Sequence, residues 1–239
     1  MIVLDEPYVS EPLIAWLEES QHPVLDSAFT RAIAEGHALN LVTPEGIAFS
    51  HPVRIDAGER VYTNSENALA WIVENTHNDS LTRGITLFKD KAAMRAALAG
   101  LDPDLFFKTC SVDELFKLDF SQLPVPFVLK PSVGFCSMGV YAIQNREDWE
   151  RALADIQNNA STWHDMYPES VIGAGSFILE GYIDGTEYAL DAYFDETGRA
   201  HILNVLRHDF VSPEDTSDRM YRTSAAIVRD TSTMFTSWL

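Results

Sequence analysis

Along the first part of the chain, short continuous apolar runs alternate with amphipathic stretches. Ile2-Val3-Leu4, His22-Pro23-Val24-Leu25 and Ala38 to Val42 have strand length and are bounded by proline, glycine or polar residues. Between them the apolar spacing changes to that of a helix. Ser10 is placed to cap a helix over 11–20, with Pro12 in the first turn, where its missing N–H costs little. Asp26 or Ser27 caps a second helix that Gly36 stops. A looser extended region is expected through Val53-Arg54-Ile55. Asn64 or Ser65 then opens a third helix with Leu69, Ile72 and Val73 on one face. Strands and helices in alternation predict an open α/β layer of mostly parallel strands.

The pattern changes after Leu87-Phe88-Lys89. Asp90 is the expected N-cap of a helix that ends at Gly100, and Leu105 to Thr109 reads as a strand. Ser111-Val112-Asp113-Glu114 has the spacing of a capping box. Phe127-Val128-Leu129 is a buried strand among prolines 124, 126 and 131, followed by a second strand, Val140 to Ile143. Asn145 caps a helix whose Trp149, Leu153 and Ile156 form a buried stripe. The polar segment from Asn158 to Gly175 predicts a linker or loop. Ser176 to Leu179 is a strand, Asp184-Gly185 a turn, and the next strand places Glu187, Ala189, Asp191 and Tyr193 on one face. Asp195 to Gly198 is a hairpin turn and Ala200 to Leu206 the returning strand. The tail from Thr223 to Leu239 predicts a strand leading into a helix.

Composition narrows the class. A chain of 239 residues suits two or three small domains. It is 46% hydrophobic but has no apolar run near the ~18 residues of a membrane span, so a globular protein without a span is expected. The N-terminal segment carries acids where a signal peptide needs basic residues, which predicts a mature, cytoplasmic chain. Cys110 and Cys136 make neither a disulfide framework nor a metal spacing and read as reduced thiols. A formal charge of −19 argues against nucleic acid and anionic membranes as partners. It also gives weight to the few lysines, because an acidic protein that takes a polyphosphate must gather its basic residues there.

The candidate chemistry centres on residues 125 to 141. Lys130 follows a buried run, where its ammonium must meet an anion or withdraw its stem to the surface. A small-residue loop comes next, from Ser132 to Gly139, and then the second strand. Such a hairpin has two readings: a tip that folds over a phosphate chain with backbone N–H groups and a lysine, or a surface hairpin with a salt-bridged lysine. The lysine precedes the loop, so this is not a Walker motif.

A second stretch, Ser176 to Phe194, bears on that choice. A strand ending in Lys130-Pro131, a small-residue loop closed by Gly139-Val140, and an apolar strand running into Glu180-Gly181-Tyr182-Ile183-Asp184-Gly185-Thr186-Glu187 together resemble the ATP-grasp superfamily of ATP-dependent carboxylate–amine and carboxylate–thiol ligases. The resemblance extends more weakly from about residue 85 to 207. It implies an α/β fold with a grasp-type α+β part: an open parallel pre-grasp domain over 1–88, a central subdomain over 89–175, and the start of a C-terminal subdomain over 176–239, with antiparallel sheets in the grasp subdomains.

The resemblance also implies site residues. Lys91, just inside the helix that Asp90 opens, and Lys130 match phosphate-contacting lysines. Ser132, Gly134, Ser137, Met138 and Gly139 belong to the closing loop. Glu180, Gly181, Tyr182 and Ile183 match the hinge that receives adenine, with Gly181 standing where the family often has glutamate or lysine. Glu187 matches the ribose-binding glutamate. Arg207, at the end of its strand, is placed to hold a γ-phosphate or a substrate carboxylate, or to pair with Asp209 or the acids at 214–218. ATP and Mg2+ are the implied cofactors, and a small-molecule carboxylate and amine the implied partners, with a homodimer a candidate assembly. The family's late acidic residue and Glu-x-Asn magnesium segment do not occur after residue 207, so no metal ligand is assigned. That absence leaves two expectations: a ligase lacking the C-terminal part of its grasp domain, or a non-catalytic nucleotide-binding module. His208 beside Asp209 reads as structural, since no nucleophile accompanies it.

Overall fold

The computed structural model describes residues 1–42, 60–134, 139–166, 173–212 and 219–239. The chain forms two compact units, Met1–Leu101 with Met166–Gly173, and Asp102–Asp165 with Ala174–Leu239.

In the first unit the elements run β1 (Ile2–Val3), α1 (Glu11–Ser20), β2 (Val24–Leu25), α2 (Ala28–Ala34), β3 (Leu41–Val42), β4 (Tyr62–Thr63), α3 (Asn67–Asn75), α4 (Asp79–Lys89) and α5 (Lys91–Leu98). The strands make one parallel sheet in the order β3-β2-β1-β4, with Ile2 opposite both Val24 and Tyr62. Both faces are apolar because both are covered, as a parallel sheet requires. Ile2, Leu4 and Val24 pack with Ile14 and Leu17 of α1, whereas Val3 and Leu25 pack with Ala68 and Ile72 of α3. Ser27 caps α2 in a reciprocal box with Thr30. The third helix begins at Asn67, whose N–H donates to the Ser65 hydroxyl at 3.1 Å, while Asn64 is engaged elsewhere. Asn64 Nδ2 donates to the carbonyls of Asp5 and Tyr8 at 2.9 and 2.8 Å, and the Ser65 hydroxyl donates to the Glu6 carbonyl. Helix α4 is not among the elements expected above, although Leu81, Ile85 and Phe88 have helical spacing. Asn78 caps it by accepting from Ser80 and Leu81, and Asp90 ends it while opening α5. The region around Val53-Arg54-Ile55 lies outside the described residues.

The second unit contains β5 (Phe107–Ser111), α6 (Val112–Leu115), β6 (Phe127–Val133), β7 (Tyr141–Ile143), α7 (Arg146–Met166), β8 (Gly173–Gly181), β9 (Tyr188–Phe194), β10 (Ala200–His208), β11 (Tyr221–Arg222) and α8 (Ala225–Trp238). One sheet has the order β5-β8-β6-β7 and the other β11-β10-β9. In the first, β5 pairs antiparallel with β8 and β6 with β7; in the second all pairs are antiparallel. Helix α7 lays Trp149, Ala152 and Ile156 on Phe127, Leu129, Ile143, Phe177 and Leu179, all buried. The capping box at Ser111 and Glu114 is formed. The mixed fold, a parallel sheet in one unit and antiparallel pairs in the other, is the α/β class expected.

Three local expectations are corrected. Strand β6 does not stop at Leu129 but continues through Lys130 and Pro131 to Val133. Its pairing with β7 ends at Leu129 opposite Tyr141, so Pro131, which has no N–H, costs no bond on that side. The polar run after Asn158 is not a loop throughout. Helix α7 reaches Met166, supported by Asn159 donating to Asp155 one turn back at 2.7 Å, and β8 begins at Gly173. The tail is one helix from Ala225, capped by Ser224, because the cap fixes the apolar Ala-Ala-Ile-Val run in the first turn. No helix among the described residues is long and apolar enough to cross a membrane.

Trp149 is 3% exposed and meets the rings of Phe120 and Phe127 at centroid distances of 6.2 and 5.9 Å. Trp149→Ala is expected to cost about 3–5 kcal/mol in equilibrium urea unfolding. Trp238→Ala, at a side chain 71% exposed, should stay within about 0.5 kcal/mol. Equal effects would contradict the packing described.

Candidate functional site

The site is built on the central strands of the second unit's larger sheet. Phe127 and Leu129 of β6, and Phe177, Ile178 and Leu179 of β8, have no exposed surface, and these anchors fix the two strands side by side. The next residues along these strands are polar. Lys130 forms an ion pair with Glu180. Glu180 is 8% exposed and Lys130 24%, so the carboxylate is buried while the ammonium sits nearer the surface. An ammonium carries three N–H donors, so its bond to Glu180 leaves others to be directed at a ligand. Of the two sequence readings of Lys130, the salt bridge is therefore present, and it does not use up the lysine.

Past Glu180 the chain leaves the sheet. Gly181 N–H donates to the Phe106 carbonyl at 2.8 Å and Tyr182 N–H to the Pro126 carbonyl at 3.2 Å, which hold this segment against both neighbouring chains. The departure from the family's usual residue at 181 has a steric cause. A Cβ on Gly181 would lie 3.3 Å from Leu105 Cδ1 and 3.7 Å from the Phe106 backbone, tighter than an ordinary contact at its nearest point. Tyr182 and Ile183 follow with 42% and 67% exposure, an apolar surface beside the ion pair.

The loop residues divide. Ser132 is 2% exposed, and its hydroxyl bonds the hydroxyl of Ser176 within the sheet, so it ties β6 to β8. Gly134 is described and unstrained. Gly139 has φ 68°, the left-handed region that glycine adopts without a Cβ penalty, and it turns the chain into β7. Ser137 and Met138 lie outside the described residues. Lys91 is the first residue of α5, behind a cap in which Asp90 accepts from Ala92 and Ala93. It belongs to the first unit, whereas Lys130 and Glu180 belong to the second. Lys89 is paired with Glu66 in the first unit.

Glu187 lies just before β9, and its side chain is 56% exposed. Its Oε1 lies 2.9 Å from Nδ1 of His208, and the His208 N–H donates to the Glu187 carbonyl at 3.0 Å. Arg207 meets Asp209 Oδ1 through Nε at 2.9 Å and through its terminal nitrogen at 2.8 Å. Arg222, directly across in β11, meets Asp209 Oδ2 at 2.6 Å. Arg222 was missed by sequence reasoning, and no local signal marked it: only the β10–β11 register brings it opposite Arg207. Cys110 is buried on β5, and burial raises its thiol pKa, with the charge of Glu114 adding to the effect, so it is a poor nucleophile. Among the described residues no group of three or more His, Cys, Asp or Glu is placed to hold a metal ion.

Residues 123–239 match the family model described as the ATP-grasp domain. Curated protein sequences yield no match. Solved structures share the fold. An L-amino acid ligase from Bacillus licheniformis superposes with a TM-score of 0.60 at 15% identity, over 99% of this chain and 59% of its own. The ADP complex of N5-carboxyaminoimidazole ribonucleotide synthetase gives 0.55 at 12% identity, over 98% of this chain and 61% of that one. The corresponding synthetase from Staphylococcus aureus, also complexed with ADP, gives 0.54 at 12%, over 99% and 60%. The chain thus spans about three fifths of the length of these structures. With the Lys-Pro strand, the glycine-closed turn and the Glu180–Glu187 segment all in the matched region, residues 123–239 are an ATP-grasp domain.

Proposed function

We propose that this chain provides the nucleotide site of an ATP-dependent carboxylate–amine ligase. The observation that carries the reading is the Lys130–Glu180 pair, held by buried strands next to the exposed Tyr182–Ile183 segment. These residues suit an adenine nucleotide. Lys130 offers ammonium donors to phosphate, Glu180 offers a fixed acceptor, and Tyr182 and Ile183 offer apolar surface to a base. Glu187, whose carboxylate is more than half exposed, is the acceptor for ribose hydroxyls. Arg207 is the candidate for a phosphate or substrate carboxylate, with Asp209 setting its orientation.

ATP would supply the phosphoryl group that activates a substrate carboxylate as an acyl phosphate for attack by an amine. The chain's own contribution to such chemistry is to position reactants and to offset charge, which in phosphoryl transfer is most of what a protein does. Exclusion of water from the reacting group would matter in such chemistry, because acyl phosphates hydrolyse. Lys91 keeps the phosphate-contacting role that the family pattern implies, and Mg2+ is expected with the nucleotide, its ligands unassigned.

Calorimetric titration of the chain with ATP and ADP, with and without magnesium, tests this. Micromolar binding that Lys130→Ala weakens tenfold or more, about 1.4 kcal/mol, is expected. No binding by the wild-type chain, or binding indifferent to Lys130→Ala, would contradict the assignment. Removing the lysine should also lower stability, because it strands the buried Glu180. Lys130→Met is expected to cost about 1–3 kcal/mol in urea unfolding, less than for a fully buried pair since the lysine is partly exposed. Adding Glu180→Gln should recover part of that loss. A double variant no more stable than the single one would show that the pair is not what holds Glu180.

A further inference from the structure

We infer that His208 is a positioning residue for Glu187, holding its carboxylate in the orientation that reads the ribose of the nucleotide; the inference rests on the nucleotide site proposed above. His208 ends β10 and its side chain is 4% exposed, yet its partner through Nδ1 is a carboxylate 56% exposed. A histidine buried only for packing needs a hydrogen-bond partner, but any nearby carbonyl would serve. Here the bond runs outward, from a fixed ring to a side chain that would otherwise sample many rotamers in solvent.

The ring is well fixed. Phe210 lies at a centroid distance of 3.9 Å, and Tyr221, directly across in β11, stacks on the ring at 4.5 Å with 19° between planes. The backbone adds a second tie, because the His208 N–H donates to the Glu187 carbonyl. Residue 208 thus grips both the main chain and the side chain of Glu187. Without that grip Glu187 would be loosely placed. It lies between the turn at Gly185, whose φ of 152° needs glycine, and the first residue of β9. A three-torsion side chain at the end of such a loop loses affinity for a ligand by the entropy of being ordered. A preorganised one does not, so the contribution of His208 is to ribose recognition and not to phosphate binding.

The test compares ATP with dideoxy-ATP, which lacks both ribose hydroxyls, by calorimetry on the whole chain. The wild type is expected to prefer ATP by about tenfold. Glu187→Ala and His208→Phe should each abolish that preference while leaving affinity for dideoxy-ATP unchanged, and the double variant should add nothing further. His208→Phe keeps a ring between Phe210 and Tyr221 and removes the nitrogen. Retained preference in His208→Phe beside its loss in Glu187→Ala would overturn the inference, as would an equal loss of affinity for both nucleotides, which would make His208 only structural. If His208→Phe fails to fold by circular dichroism, nitrogen-15 spectra of the His208 imidazole in the wild type decide. Nδ1 is expected to shift with ATP and not with dideoxy-ATP, and the same response to both would overturn the inference. A wild type that binds neither nucleotide, or both alike, would overturn the ribose role of Glu187 itself, a failure of the underlying reading and not of the histidine.

Discussion

The second unit depends on one electrostatic constraint, a lysine and a glutamate at the inner end of a packed sheet. Removing an ion from water costs on the order of several kcal/mol even after relaxation, so neither Lys130 nor Glu180 could occupy its place alone. Each makes the other's position tolerable, and the pair in turn requires β6 and β8 to be neighbours. The apolar residues beneath them, Phe127, Leu129, Phe177 and Leu179, supply that adjacency through ordinary burial. The hydroxyls of Ser132 and Ser176 join the same two strands at a second point. An ion pair is weak evidence of net stability. Here its value lies in placing a partly exposed ammonium and a fixed carboxylate where the chain leaves the sheet.

Surrounding features follow from that placement. The segment after Glu180 is tied on both sides, to Phe106 and Pro126, and the closeness of Leu105 admits only glycine at 181 without a shift. In a chain of net charge −19, a lysine balanced by a buried glutamate does not attract anions by charge alone. What it offers is its remaining ammonium donors, which on the proposed nucleotide reading suit a particular phosphate more than general counter-ion binding. The smaller sheet shows the same economy on its own strands. Asp209 orients two arginines that face each other in register, a like-charge pair that would repel without it.

Much of this was legible in the sequence, and the reasons differ by element. Three strands of the parallel sheet, β1 to β3, were readable because they lie in short apolar runs separated by helices, whereas β4, Tyr62–Thr63, is no apolar run and was not read. The hairpin and the Glu180–Glu187 segment were readable because their residue order is specific. Polar helices were harder. The second half of α7 carries few apolar residues at helical spacing, so pattern alone gave a loop, whereas α4 was missed although Leu81, Ile85 and Phe88 have helical spacing. The end of β6 was misplaced because Pro131 reads as a stop, and only the pairing with β7 shows that its missing N–H is not needed there. The bonds of Lys130 to Glu180 and of His208 to Glu187 join residues far apart in the chain, and no local pattern encodes such a contact. His208, expected to be structural, is buried and bonds the side chain of Glu187.

The most direct test of the central claim is a crystal structure of the chain with ADP bound. The account requires a phosphate oxygen within hydrogen-bonding distance of Lys130 Nζ, with the base against Tyr182 and Ile183 and the Lys130–Glu180 strands unmoved. A nucleotide bound elsewhere, with Lys130 turned only to Glu180, would make the pair a structural bridge and contradict the assignment.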